Sequence, residues 1–154
     1  MSACDSVILS GTYELFADID RVWDELHSPA ALTYCIPHCD SLERLDATQY
    51  QATFRAGISR LTIPIGARLE VVPLDPPRAY RLVSSFSLAI LGKARGEADV
   101  TLAESVSGVM VSYTTRVSLS GGLAGYGSGL IENSIEKSML SFFARMQHWL
   151  KEHR

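Results

Sequence analysis

From Ser41 to Leu119 the apolar residues of this chain recur with a period of two, and from Leu123 to Trp149 they recur at steps of three and four. A long run of strands that ends in one long amphipathic helix has few ways to bury its apolar faces. Ala52, Phe54, Ala56 and Ile58 alternate with Gln51, Thr53, Arg55 and Gly57, while Ile63, Ile65, Ala67, Leu69 and Val71 alternate with Thr62, Pro64, Gly66, Arg68 and Glu70. Farther on, Ala94, Gly96, Ala98, Val100 and Leu102 share one face, and Val109, Val111, Tyr113, Thr115 and Val117 share another. Asp75-Pro76-Pro77 and Ser107-Gly108 mark turns. Pro64 inside a strand pattern predicts a bulge or an edge position. The terminal helix carries Leu123, Tyr126, Leu130, Ile131, Ile135, Met139, Phe142, Met146 and Trp149 on one wide apolar stripe.

Ahead of this run, Val7, Leu9 and Tyr13 predict a strand. Asp18 or Asp20 is then placed to cap a helix bearing Val22, Trp23 and Leu26. Ser28-Pro29 interrupts that helix, and a second short one covers Ala30 to Cys35. Pro37 has no backbone N–H and disfavours helix at Ile36, so the chain must turn there. One strand, two short helices, about six consecutive antiparallel strands and a long helix bury their faces only if a curved sheet wraps the helix. A single domain over residues 1–154 is expected.

With 47% apolar residues, a chain of this length can form a core and still enclose a cavity. Its net charge of -3 lacks the basic footprint that phosphate binding demands, which argues against nucleic acid. Three cysteines, an odd number, read as reduced thiols of a cytoplasmic protein. No window approaches the roughly 18 apolar residues of a spanning helix, so a soluble or membrane-peripheral protein is expected.

Cys35, His38 and Cys39 offer soft ligands within one turn, but a structural zinc site wants a second cluster, and His27, His148, His153 and Cys4 are scattered. They read as small thiols packing a turn, with no metal expected. Glu97 and Asp99 share a strand face with Arg95 and Thr101, the pattern of a solvated charged face. The glycines from Gly121 to Gly129 lack the lysine and hydroxyl of a phosphate cradle, and their better reading is steric. Serines and histidines form no nucleophile motif.

A cavity is the strongest candidate site. Ala94, Gly96, Ala98, Ala52 and Ala56 leave the inward face nearly without side chains, with Phe54, Ile65, Phe86 and Tyr113 supplying bulk nearby. The expected lining is Ile36, Phe54, Ile65, Phe86, Gly96, Tyr113, Leu123, Tyr126 and Leu130. An apolar pocket with Tyr113 and Tyr126 as polar handles suits a hydrophobic ring or an isoprenoid. The competing expectation is that Tyr126 and Phe142 fill this space as core. At the end of the helix, Phe142, Phe143, Met146, Trp149 and Leu150 are interspersed with Lys137, Arg145, Lys151 and Arg154. That mixture predicts a docking surface for a membrane or partner, with Phe143 and Leu150 outward, or else packing against the first helix near Trp23.

Four separated pieces carry a family resemblance. They are Val22-Trp23; Cys35-Ile36-Pro37-His38-Cys39, with histidine where the family pattern has glycine; Leu74-Asp75-Pro76-Pro77 with Tyr80; and Gly121 to Ile131, with Gly129 where arginine is common. In this order and spacing the chain, from about Leu9 to Phe143, resembles CoxG, a family of carbon monoxide dehydrogenase accessory subunits in the helix-grip (START-like, SRPBCC) superfamily. The resemblance implies an α+β helix-grip fold, a seven-stranded antiparallel sheet around a long C-terminal helix and a hydrophobic cavity. It further implies a non-enzymatic accessory of a molybdenum hydroxylase of the carbon monoxide dehydrogenase type. Such an accessory recruits its enzyme to the membrane, binds a quinone- or lipid-like molecule and carries no cofactor of its own. The superfamily also contains cyclases and aromatase-like enzymes, in which case Tyr113, Tyr126 or Glu132 would act inside the same cavity; a free lipid or quinone carrier is the third expectation.

Overall fold

The computed structural model describes residues 5–58, 60–122 and 128–153. The chain runs β1 (Asp5–Leu15), α1 (Ile19–Leu26), α2 (Pro29–Cys35), β2 (Cys39–Arg44), β3 (Gln49–Ile58), β4 (Leu61–Asp75), β5 (Ala79–Ser87), a short 3-10 turn (Ala89–Leu91), β6 (Lys93–Glu104), β7 (Val109–Ser120) and α3 (Ser128–Glu152). One antiparallel sheet of seven strands has the order β1-β7-β6-β5-β4-β3-β2, and α3 packs across its inner face. The α+β helix-grip expectation holds, including the two short helices after the first strand.

Local chemistry accounts for the boundaries. Asp18 occupies the extended residue before α1, but its side chain makes no capping bond; Asp20 instead places a negative charge in the first turn, where the helix dipole favours it. Ser28 caps α2 by accepting from the Ala31 N–H at 3.3 Å, with Pro29 at the first helical position. The helix ends at Cys35 because Ile36 is extended ahead of Pro37. His38 follows with φ of 53°, a left-handed conformation that glycine adopts without strain, which gives the glycine of the family pattern its physical reason.

Pro64 sits in an interior strand, yet it is locally an edge. The Arg55 N–H bonds the His38 carbonyl on the β2 side, so Arg55 and its partner Pro64 form a pair that exchanges no hydrogen bonds. The nitrogen of Pro64 therefore points toward β5, whose pairing with β4 begins only at Gly66. Glu97 and Asp99 lie on the outer face, exposed and paired with Arg81 at 3.7 and 2.9 Å, as a solvated charged face requires.

The end of α3 corrects the docking-surface expectation. Phe143 is 5% exposed and Leu150 2%. Phe143 is stacked between Tyr13 (5.4 Å between ring centres) and Tyr113 (5.6 Å). Trp149 donates through Nε1 to the Glu25 carboxylate of α1 at 2.8 Å, so the helix end packs against the first helix. Among the described residues, no helix is long and apolar enough to cross a membrane.

Candidate ligand-binding site between sheet and helix

The buried residues fall into two groups rather than one. At the end where α1 and α2 cover the sheet, Leu15, Val22, Leu26, Cys35, Tyr50, Tyr80, Val109, Val111, Phe143, Met146 and Leu150 form a dense core. At the other end, Val7, Ile63, Ile65, Leu88, Ala94, Val117, Leu119 and Ile131 form a smaller one. Register places two cross-strand rows near the junction: Leu9, Thr115, Ala98, Leu82 and Val71 in one, and Val7, Val117, Gly96, Ser84, Leu69 and Tyr50 in the next. Inward-facing Leu9, Thr115, Ala98, Leu82, Leu69, Phe54 and Phe86 remain only half-buried, as do Ile135, Met139 and Phe142 of α3 facing them. Inward residues of a sealed two-layer domain would be buried, so the helix does not seal this stretch.

The residues expected to line a cavity are spread unevenly over the inner face and the helix. Phe54 and Phe86 meet edge to face at 6.4 Å beside buried Ile65, within the smaller core. Gly96 lies on the inward row, where an added Cβ would stand 2.7 Å from Ser84 Oγ and 3.7 Å from the Phe86 ring. The volume next to Gly96 is therefore partly taken by a buried hydroxyl, which donates to the Gly96 carbonyl at 3.3 Å. Tyr113 belongs to the dense end, stacked on Phe143, with its hydroxyl over Gly11. Ile36 is half-buried where the chain leaves α2, three residues before Cys39, the partner of Phe54. Leu130 is 48% exposed, and Ile131, one position on, supplies the inward contact. Leu123 and Tyr126 lie outside the described residues.

Sequence reasoning did not single out Ser84, Thr115, Leu9, Ile135 and Met139, which the fold places on the facing inner surfaces of the sheet and α3. Alternation alone places Ser84 inward between Leu82 and Phe86, so a signal for it exists in the strand pattern. A concavity of about 290 Å³ borders Phe54 and Ile65, but Thr53, Pro64, Gly66 and Ser87 line it from the outer face, with Asp40 and Ala89 at its rim. A second, of about 270 Å³, lies among the turns from Phe16 to Ile19 and Glu104 to Gly108.

Electrostatically the inner face is quiet. Its strand positions between the two cores are apolar or carry hydroxyls, and the Tyr113 phenol is held above its ordinary range, first by burial and then by Glu136. Burial pushes the Cys35 thiol up to about 12, which leaves it protonated, a poor nucleophile and a poor metal ligand. Among the described residues, no three of His, Cys, Asp and Glu gather where they would hold a metal ion. The arrangement suits enclosing an apolar molecule and offering it hydroxyl contacts.

Comparisons with known proteins agree with this geometry. A conserved protein from Geobacillus kaustophilus is 24% identical, with TM-score 0.86 over 95% of this chain and 96% of that one. A protein from Rhizobium leguminosarum is 15% identical, with TM-score 0.71 over 97% of each chain. The Zhui aromatase/cyclase from Streptomyces is 13% identical, with TM-score 0.66 over 96% of this chain and 94% of that one. These likenesses establish a shared fold. No protein of curated function matches. The model of one family matches residues 11–151, so nearly the whole domain, with its Cys35 to Cys39 turn and its gripped helix, belongs to the CoxG family of carbon monoxide dehydrogenase subunits.

Proposed function

We propose that this chain is a non-enzymatic accessory protein that takes an apolar, quinone- or lipid-like molecule between the inner sheet face and the first half of α3. In this reading it assists or recruits a molybdenum hydroxylase of the carbon monoxide dehydrogenase type, in the cytoplasm or at the inner membrane face. The observation that carries the ligand is the small-residue belt of buried Gly96 and half-buried Ala98 and Thr115, between two separately packed cores. Family membership supports the partner. The apolar lining favours a carrier over the aromatase/cyclase chemistry named for the Streptomyces neighbour, because catalysis in such a cavity needs titratable groups and the described inner-face strand positions between the two cores are apolar or carry hydroxyls. With Phe143 and Leu150 in the core, those side chains provide no membrane contact.

Native mass spectrometry of protein purified without detergent tests the ligand. Retention of one apolar molecule, displaced by a short-chain quinone, is the expected result. Protein that is ligand-free and does not bind the quinone or a hydrophobic fluorophore would remove the reading.

A further inference from the structure

The links between strands differ in chemistry at the two ends of the sheet. At the end of the dense core, the links from β1 to α1, β2 to β3, β4 to β5 and β6 to β7 contain or follow Asp18, Asp46, Asp75 and Glu104. Asp, Pro, Ser and Gly are the usual residues of turns in water. At the end of the smaller core the links are residues 59–60, 88–92 and 121–127, and their sequence holds no Asp or Glu. The link from β5 to β6 reads Leu88-Ala89-Ile90-Leu91-Gly92. Ala89 is exposed there with φ of 50°, a left-handed conformation that turns facing water usually give to Gly, Asn or Asp.

Apolar and cationic side chains share this rim. Leu61, just past the β3–β4 turn, is 49% exposed, and Leu130 in the first turn of α3 faces solvent to a similar degree. They belong to one corner, because Leu61 pairs with Ile58 while Ser134, one turn after Leu130, donates to the neighbouring Gly57 carbonyl. Arg60 precedes Leu61, and Lys93 opens β6 two residues after half-buried Leu91. Both cations are exposed, and among the described residues neither meets a carboxylate. Arg55, Arg78 and Arg81, by contrast, are held by Asp40, by Glu104 and by Glu97 with Asp99. Asp5 and Glu132 stand apart from the rim, on the edge strand and in the second turn of α3.

A rim without carboxylates, on a chain of net charge -3, is complementary to a negative surface. Leucines exposed beside cations on separate turns suit a fluid interface, which accepts them without matching their shape. We propose that this end docks on a bilayer bearing anionic phospholipids. Leu61 and Leu130 enter the boundary between headgroups and acyl chains, and Arg60 and Lys93 meet the lipid phosphates. The same surface repels the acidic links at the opposite end, which orients the domain. Two leucines and two cations give a weak, reversible and salt-sensitive association. That the apolar ligand exchanges with the bilayer at this end rests on the proposed function; the docking itself does not.

Sedimentation of the full chain with vesicles of phosphatidylcholine and phosphatidylglycerol in equal parts tests the docking. Binding is expected at about 0.1 M salt and loss of it at about 1 M, as the Debye length shrinks from about 10 to 3 Å. Vesicles of phosphatidylcholine alone should bind far less. Leu61→Asp is expected to weaken partition roughly tenfold, and Lys93→Ala roughly fivefold. Val106→Asp, on the fully exposed turn at the opposite end, should change nothing. Absence of binding to the anionic vesicles, binding unaffected by salt, or equal losses in Leu61→Asp and Val106→Asp overturns the proposal. If Leu61→Asp fails to fold, Lys93→Ala against Val106→Asp decides it. Protein that retains a quinone yet ignores vesicles removes only the docking, and protein that binds vesicles but no apolar molecule removes only the ligand reading.

Discussion

The two halves of α3 are held to the same sheet by different means. From Phe143 onward, Met146 and Leu150 are fully buried, Gln147 bonds the β1 backbone twice, Trp149 bonds Glu25, and Arg145 donates to the Tyr34 carbonyl while lying over its ring. Arg21 of α1 also donates to the His153 carbonyl just past the helix. In the first half, Ile131 is buried and Ser134 donates to the Gly57 carbonyl at 3.1 Å, but Ile135 and Met139 are half-buried and Leu130 and Leu140 face solvent. Packing that is dense at one end and incomplete at the other separates two tasks. The clamp sets the position of the helix, and under the proposed function the less tightly held half is where an apolar ligand sits.

The strongest way to break this contrast is to remove one anchor from each half. Phe143→Ala empties the slot between Tyr13 and Tyr113 and is expected to cost about 3–5 kcal/mol in urea unfolding. Ile131→Ala, in the smaller core, should fall near the lower bound for such truncations, about 2 kcal/mol. Equal losses would mean that the two ends are packed alike and that the distinction is superficial.

A smaller effect sharpens the contrast at the open half. Gly96→Leu pushes a side chain toward Ser84 Oγ and the Phe86 ring and should cost about 1–3 kcal/mol, the range for adding bulk to an interior that can adjust. Binding of a hydrophobic fluorophore should be lost at the same time. Replacing Gly96 with Leu together with Ser84→Ala removes the nearest obstructing atom and should recover stability without recovering binding. Unchanged binding combined with severe destabilisation would identify the region as ordinary core.

Much of the architecture is legible in the sequence because the strand period is strict. With Ala52, Ile65, Gly96 and Val117 on inward faces, every strand follows, and Pro37 ends α2 where backbone chemistry requires. The phase of α3 is harder to read. Its apolar residues occur in adjacent pairs at Leu130-Ile131, Phe142-Phe143 and Trp149-Leu150, and neighbours on a helix point about 100° apart. Which member of each pair is core depends on the angle at which the helix crosses the sheet. The sequence pattern alone therefore puts Leu130 inward and Phe143 and Leu150 outward, the reverse of what the fold does. Contacts between residues far apart in the chain are equally hidden: Tyr113 over Gly11, Ser84 beside Gly96, and Gln147 on the edge of β1 all depend on register or helix placement.

The least effect, and the most specific, concerns a flaw in the dense end itself. His27 closes α1 with its ring between Trp23 (4.6 Å) and Tyr80 (4.9 Å), and its Nδ1 lies 2.6 Å from the Trp23 carbonyl. Its Nε2 is buried without a hydrogen-bond partner among the described residues. Tyr50 of β3 donates to the His27 carbonyl rather than to the ring. The charged neighbours oppose each other, with Arg44 of β2 disfavouring an imidazolium and Asp24 of α1 favouring it. Burial dominates and holds the pKa below the ordinary 6.5. Between that lowered value and 6.5 the unfolded chain binds a proton that the folded chain refuses. Stability contributed by neutral His27 is therefore complete above pH 6.5 and declines as pH falls below it. Unfolding midpoints measured from pH 7.5 to 5 should fall in the wild type and flatten in His27→Phe, which keeps the aromatic stack but cannot be protonated. A fall of the same size in His27→Phe would assign the acid sensitivity elsewhere and leave the dense end with no proton-linked weakness at this residue.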